Sequence, residues 1–158
     1  MKGGTCVQRE AIAIGCDEAA CAFRDAVKNH LIELGYEVED FGTFDNKPVL
    51  YPDIAVAVAS AIAEGKFKRG ILICGTGIGM AMAANKVPGI RAAVCHDVFS
   101  TERSRKSNDA QIMCMGARVI APQLGLLLVD TWLRCDFAGG GSTAKVERIK
   151  YYEQQFLK

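Results

Sequence analysis

The stretch Ile71-Leu72-Ile73-Cys74-Gly75-Thr76-Gly77-Ile78-Gly79 decides the fold class of this chain. Three aliphatic residues and a cysteine form a run that is typical of a strand buried on both faces. Glycines at alternate positions follow, and a helical pattern then runs to Lys86. A buried strand that passes through a glycine loop into a helix is part of a β–α–β unit, so this stretch predicts a parallel sheet.

The same alternation extends in both directions from this stretch. The predicted strands are residues 11–15, 37–41, 70–74, 91–95 and 111–115. The predicted helices are residues 19–34, 52–64, 78–86, 98–106, 122–134 and 143–156. The pattern predicts one three-layer α/β/α, Rossmann-like domain over residues 1–158, with a five-stranded parallel sheet and a C-terminal helix. That last helix is expected to lie across the domain or to pack on a neighbouring subunit.

The composition favours a soluble globular protein, with 50% hydrophobic and 23% charged residues. A net charge of +1 gives no reason to expect a nucleic acid or a membrane surface as partner. The opening residues lack an apolar segment, so we expect no secretory signal and a cytoplasmic protein. An odd number of cysteines without a Cys-x-x-Cys pair favours reduced thiols over disulfides or a metal site. The cysteines are Cys6, Cys16, Cys21, Cys74, Cys95, Cys114 and Cys135.

Cys74 stands at the carboxyl end of a predicted parallel strand, where such sheets bind ligands. Glycines let a ligand approach the backbone, and the first N–H groups of the following helix favour negative charge on a thiol or an enediolate. The alternative is that Cys74 only fills the core, which is common for a cysteine in an apolar run. The loop has neither G-x-G-x-x-G nor G-K-[ST], so a nucleotide site is not favoured.

Other polar residues stand in the connections between the predicted strands and helices. Asp17 and Glu18 follow the first strand, and they either carry charge at a helix N-terminus or bind hydroxyl groups of a ligand. Ser107 and Asn108 belong either to an ordinary turn or to a binding site. A lone His96 after the fourth strand is interpreted as structural.

Several segments, taken in order, resemble the type B ribose-5-phosphate isomerase / galactose-6-phosphate isomerase family. The resemblance runs from about residue 11 to about residue 149. The segments that carry it are residues 15–17, 51–52, 73–79, 84–91, 107–110 and 115–119.

The resemblance implies an aldose–ketose isomerase that needs no metal or organic cofactor and acts on a small sugar phosphate. Cys74 would move a proton between neighbouring carbons through a cis-enediolate, with Thr76 and Asp17 as further catalytic residues. The family is dimeric or tetrameric, and a neighbouring subunit completes each site, here through Ser107 and Asn108. The implied substrate-binding residues are Glu18, Tyr51, Gly75, Gly77, Gly79, Ser107, Asn108, Arg118 and Lys145.

Three departures from the family bear on the substrate. Ser107 replaces a histidine that opens the furanose ring, and Glu18 replaces a second histidine. The phosphate-binding run Gly-Gly-Arg-His-x-x-Arg appears here with Gly141 and Lys145 in place of its arginines. A tetrose 4-phosphate cannot close a furanose ring because its C4 oxygen carries the phosphate, so it needs no ring-opening acid. Relatives that act on tetrose 4-phosphates also resemble this chain in having serine there.

The favoured substrate pair is therefore erythrulose 4-phosphate and erythrose 4-phosphate. Ribose 5-phosphate and an unphosphorylated sugar remain alternatives within the same reaction class. A non-catalytic sugar-phosphate-binding protein is an alternative from another class. A thiol-redox role is a further alternative, and it requires a second cysteine near Cys74.

Overall fold

The computed structural model describes residues 9–157, in which five strands and six α-helices alternate. Cys6 and the opening segment, from which no secretory signal is predicted, lie outside the described residues. Every predicted strand and helix is present. The strands are β1 (Ile12–Cys16), β2 (Val38–Asp40), β3 (Arg69–Cys74), β4 (Ala92–Val94) and β5 (Ile112–Gly116). The helices are α1 (Cys21–Glu33), α2 (Tyr51–Ala63), α3 (Ile78–Ala84), α4 (Val98–Lys106), α5 (Pro122–Leu133) and α6 (Thr143–Phe156).

The five strands form one parallel sheet in the order β2-β1-β3-β5-β4. The chain moves outward from β1 to β2 and then crosses to β3 on the other side of β1. The carboxyl ends of β1 and β3 therefore flank a topological switch point, which is where open α/β sheets bind ligands. Cys16 ends β1 and Cys74 ends β3, so both residues lie next to this point.

Helices cover both faces of the sheet, as the three-layer prediction requires. Helices α1, α4 and α5 pack together on one face, and α2 packs with α3 on the other. The sheet has a hydrophobic core on each face, and alternate residues of a strand point to opposite cores. Ile71 and Ile73 face the core formed with α1 and α5, whereas Leu72 and Cys74 face the core formed with α2 and α3. Cys74 thus projects toward the layer formed by α2 and α3.

Helices α1 and α3 are shorter than predicted by two or more residues, because side chains of neighbouring residues bind backbone groups. Helix α1 begins at Cys21 because Asp17 forms a turn, in which its Oδ1 accepts the Ala19 N–H at 3.0 Å. Helix α3 ends at Ala84 because the Asn85 amide bonds both backbone groups of Ala92, each at 2.8 Å. Such side-chain bonds compete with helical hydrogen bonds.

Helix α6 packs on its own chain through one buried residue, Val146. The Glu153 carboxylate adds a second attachment by accepting the Gly89 N–H at 2.8 Å. Tyr151, Tyr152 and Phe156 remain exposed on this helix. None of the helices in the described part of the chain is long and apolar enough to cross a membrane.

Candidate active site

Cys74 is a buried thiol, 5% exposed, at the last position of β3. The Gly77 N–H donates a hydrogen bond to its Sγ at 3.1 Å. Gly77 has φ +77, and a Cβ there would lie 3.0 Å from the Met115 backbone, so only glycine fits without strain. A donor aimed at sulfur stabilises negative charge on it, and the sulfur can act as a base only in that thiolate form.

The loop after β3, residues 75–77, is attached to the end of β5. The Ala117 N–H donates to the Cys74 carbonyl at 2.8 Å, and the Arg118 N–H donates to the Gly75 carbonyl at 3.0 Å. A Cβ on Gly116 would lie 2.7 Å from the Thr76 Cα, so the two backbones are in contact. The position of the loop that carries Cys74 therefore depends on the end of β5.

Asp17 is a buried carboxyl group beside this loop, at the end of β1. Its backbone N–H donates to the Ile73 carbonyl at 3.2 Å, which ties it to the end of β3. Burial raises the pKa of Asp17, and nearby Glu18 raises it further, whereas the Ala19 N–H and the Arg118 guanidinium oppose the shift. The Asp17 carboxyl group therefore keeps its proton up to a higher pH than an exposed aspartate does.

Arg118 is exposed, and its guanidinium lies over Gly75. A Cβ on Gly75 would lie 3.4 Å from the Arg118 Nη1. The same guanidinium acts electrostatically on the Asp17 carboxyl group. The structure therefore brings together a thiol, a carboxyl group and a cation at the switch point of the sheet, as the sequence predicts for Cys74, Asp17 and Arg118.

Thr76, Tyr51 and Glu18 also lie at this edge of the sheet. The Thr76 Oγ1 accepts the Ile78 N–H at 3.3 Å, which leaves its own O–H free to donate. The Tyr51 hydroxyl lies close to Gly79, and a Cβ on Gly79 would be 2.5 Å from the hydroxyl oxygen. Glu18 binds the neighbouring loop by accepting the Val49 N–H at 3.3 Å.

Ser107, Asn108 and Lys145 are not brought to Cys74 within one chain. Ser107 and Asn108 end α4 and precede β5, so they lie at the amino edge of the sheet. Asn108 lines a groove of about 520 Å³ together with Ile149 of α6. Lys145 is exposed on the same helix.

Sequence reasoning gave no positioning role to two residues that support the site. His96 was interpreted as structural, and its Nε2 accepts the Gly116 N–H at 2.9 Å. Burial lowers the pKa of His96, which keeps that nitrogen unprotonated and able to accept. Gly116 carries no side chain that could have revealed its contact with Thr76. Within residues 9–157, no cluster of three or more histidine, cysteine, aspartate or glutamate side chains is placed to hold a metal.

Comparisons with known proteins agree with this geometry. Residues 12–149 match the family described as Ribose/Galactose Isomerase. The chain is 54% identical over 144 residues to Ribose-5-P isomerase B of Listeria innocua, covering 91% of this chain and 97% of that protein. It is 51% identical over 148 residues to D-erythrulose-4-phosphate isomerase of Pectobacterium atrosepticum, covering 92% of this chain and 96% of that protein. The solved structure of Ribose-5-Phosphate Isomerase B of Clostridium thermocellum matches with a TM-score of 0.91 and 45% sequence identity. The match covers 92% of this chain and 99% of that one.

These similarities extend over almost the whole described chain and include the strand, loop and helix that carry Cys74. The chain therefore belongs to the ribose/galactose isomerase family and is an aldose–ketose isomerase.

Proposed function

We propose that this isomerase acts on a short sugar phosphate and that Cys74 is its base. The observation that carries the proposal is the hydrogen bond from the Gly77 N–H to the Cys74 Sγ, 3.1 Å long, beside Asp17 and Arg118. The thiolate removes the proton from the carbon next to the carbonyl group and leaves a cis-enediolate. The Cys74 S–H, whose proton can exchange with water while the enediolate exists, then protonates the former carbonyl carbon, and a hydroxyl proton moves between the two enediolate oxygens.

The enediolate also needs hydrogen-bond donors, and two N–H groups of the glycine loop already have partners. The Gly77 N–H is already bonded to the Cys74 sulfur, and the Gly75 N–H faces the Asp17 carboxyl group. We assign the developing negative charge to the Thr76 hydroxyl and the Arg118 guanidinium. Fixed donors of this kind lower the barrier because they need no reorganisation during the reaction.

We further propose a tetrose 4-phosphate, the pair erythrulose 4-phosphate and erythrose 4-phosphate, as the preferred substrate. Ser107 stands where a ring-opening histidine is expected for a furanose substrate, and an open-chain tetrose phosphate does not need that acid. Glu18 adds negative charge beside Asp17 and disfavours a phosphate dianion close to it. The 51% identity to the Pectobacterium atrosepticum protein supports this choice.

Ribose 5-phosphate is the second candidate substrate, because the Listeria innocua protein named as its isomerase is 54% identical. The two candidates differ in whether a ring must open before proton transfer. Ser107→His therefore separates them, since it restores a group that can act as the ring-opening acid.

Deuterium uptake tests the proposal. The protein is incubated in deuterated buffer with tetrose, pentose and hexose phosphates and with unphosphorylated sugars, and NMR follows exchange and product. We expect exchange with the tetrose phosphate, its loss by a factor of at least about 100 in Cys74→Ala, and a gain on ribose 5-phosphate in Ser107→His. Exchange by Cys74→Ala at the wild-type rate would exclude Cys74 as the base. Faster exchange with ribose 5-phosphate than with the tetrose phosphate in the wild type would reverse the order of substrates.

We also propose that a second copy of this chain completes each active site. Asn108 lines a groove along β4 to which α6 contributes Ile149, and Lys145 is exposed on the same helix, whereas Cys74 lies at the carboxyl edge of the sheet. A second copy that places its amino edge against the first one's carboxyl edge would bring both sets of residues to one substrate.

A further inference from the structure

Cys16 and Cys21 form a close thiol pair, with their Sγ atoms 3.9 Å apart. Both residues bracket the turn after β1, so the pair lies beside the active site and does not include Cys74. The pair has no sequence signature, because the two cysteines are five positions apart and belong to different elements. The turn between the two cysteines is held by Asp17, which accepts the Ala19 N–H at its Oδ1 and the Ala20 N–H at its carbonyl oxygen.

The two thiols differ in accessibility and in surroundings. Cys21 is half-buried and is the first residue of the 13-residue helix α1, so a small reagent in solution can reach its sulfur. Cys16 is fully buried, and burial together with nearby Cys21 raises its pKa to about 12, although the Arg24 guanidinium opposes the shift. Cys16 therefore remains a thiol that can donate its S–H to the Cys21 sulfur. An accessible nucleophile with a buried partner is the arrangement found in dithiols that undergo exchange.

The pair is connected directly to Asp17. The Cys21 thiol donates to the Asp17 carbonyl oxygen at 3.5 Å, and Cys16 precedes Asp17 in the chain. A disulfide bond of about 2.05 Å would require the two sulfur atoms to approach by about 1.9 Å. Because the residues between them are only 17–20, this movement would shift the turn that carries Asp17 and Glu18.

We propose that Cys16 and Cys21 are a redox modification site that forms a reversible intramolecular disulfide with a low-molecular-weight disulfide as oxidant. The Cys21 thiolate attacks one sulfur of that disulfide, its S–S bond breaks, and one thiolate leaves. Cys16 then loses its proton and attacks the Cys21 sulfur of the mixed disulfide, which releases the second thiolate. Each released thiolate takes up one of the two thiol protons, so the protein is oxidised by two electrons and the reagent is reduced to two thiols.

Closure of the disulfide is expected to be the slow step, because Cys16 is buried and protonated. The consequence for catalysis is loss of activity, since a displacement of about 1 Å at an active site can cost a factor of about 100 in rate. This inference goes beyond the proposed function, as it concerns residues that take no part in the proton transfer.

The experiment uses the full chain in glutathione buffers that range from reduced to oxidised. Free thiols are blocked by alkylation, and trypsin then releases residues 10–24, which contain Cys16 and Cys21 and no other cysteine. Isomerase activity is measured on the same samples before and after dithiothreitol. The matched variants are Cys21→Ser and Cys21→Ala, which remove the nucleophile and leave Cys74 in place.

We expect the wild-type peptide to lose two hydrogen masses in oxidised glutathione, with a loss of activity of about tenfold or more that dithiothreitol reverses. Both Cys21 variants are expected to keep their activity in the same buffer. The proposal is overturned if the peptide keeps two alkylated thiols or carries only a glutathionyl group. It is also overturned if the Cys21 variants lose activity in parallel with the wild type, because oxidation would then act at Cys74. The peptide mass decides whether the disulfide forms even if the protein proves inactive on every sugar phosphate tested.

Discussion

A carboxyl group buried at the mouth of the sheet lowers the stability of the folded protein. Asp17 is 9% exposed, and burial raises its pKa above the usual value of 3.8. The folded state therefore holds this proton more tightly than the unfolded state does. At a pH above the raised pKa, Asp17 is ionised in both states, and the folded state bears the full cost of burying the charge. Below about pH 3.8, Asp17 is protonated in both states and this cost vanishes.

Asp17→Asn is expected to stabilise the protein at about pH 7 and to lower its activity. Asparagine keeps the Oδ1 that accepts the Ala19 N–H but carries no charge to bury. A gain of about 1 kcal/mol would raise Tm by about 2–4 °C, and the difference from wild type should shrink as the pH falls toward about 4. Thermal melts at both pH values, with kcat/KM beside them, measure the two effects.

Asp53→Asn is the matched control for this substitution, because Asp53 is exposed in the first turn of α2. It is expected to give no gain in stability, since a carboxylate is favourable near a helix N-terminus. An unchanged Tm for Asp17→Asn, or a gain that is equal at both pH values, would contradict the assignment of a burial cost to Asp17.

At the level of elements, the loop that carries Cys74 is positioned by β5. The Gly116 Cα lies against the Thr76 backbone, and a Cβ would come within 2.7 Å of it. Backbone atoms cannot turn aside as a flexible side chain can, so the loop itself must move when a side chain is added. The Gly116 N–H is also bonded to His96, which fixes the strand end from the other side.

Gly116→Ala is expected to lower kcat by a factor of about 100 while the sheet remains folded. The forced contact should also cost about 1–3 kcal/mol of stability, as overpacking does elsewhere. Gly125→Ala is the matched control, because a Cβ there would overlap the Phe23 ring, so it is overpacked too, but it lies on α5 and not at the end of β5. Kinetics and denaturant unfolding of both variants check the prediction, and equal activity of the two would show that the loop does not depend on β5.

The elements were predictable from sequence to a large extent, because buried parallel strands and amphipathic helices leave strong local patterns. Cys74, Asp17 and Arg118 could be predicted to meet because each follows a strand of the same parallel sheet. The contacts of Gly116, the bond to His96 and the Cys16–Cys21 pair could not. They depend on how close two chain segments approach in space, and no local pattern of residues encodes that distance.

For the molecule as a whole, the residues assigned to one substrate lie at two edges of the sheet. Strand β5 follows Asn108 and has five residues, so four steps of about 3.3 Å separate its start at Ile112 from its end at Gly116, next to Cys74, by about 13 Å. Arg91 holds the turn at Asn108 in place, because its Nε donates to the Asn108 carbonyl at 3.0 Å. A single chain therefore offers only part of the proposed site at either edge.

If a second copy completes each site, two inactive variants should restore activity when they are mixed. Cys74→Ala lacks the base, and Asn108→Ala lacks a residue that is lent to the neighbour. When equal amounts are dissociated together and reassociated as dimers, half of the dimers are mixed and each mixed dimer holds one intact site. The expected activity is about one quarter of wild type, whereas each variant alone is expected to be inactive. A mixture that stays as inactive as the separate variants would place Cys74 and Asn108 in the same subunit's site, and full activity of Asn108→Ala alone would remove Asn108 from the site.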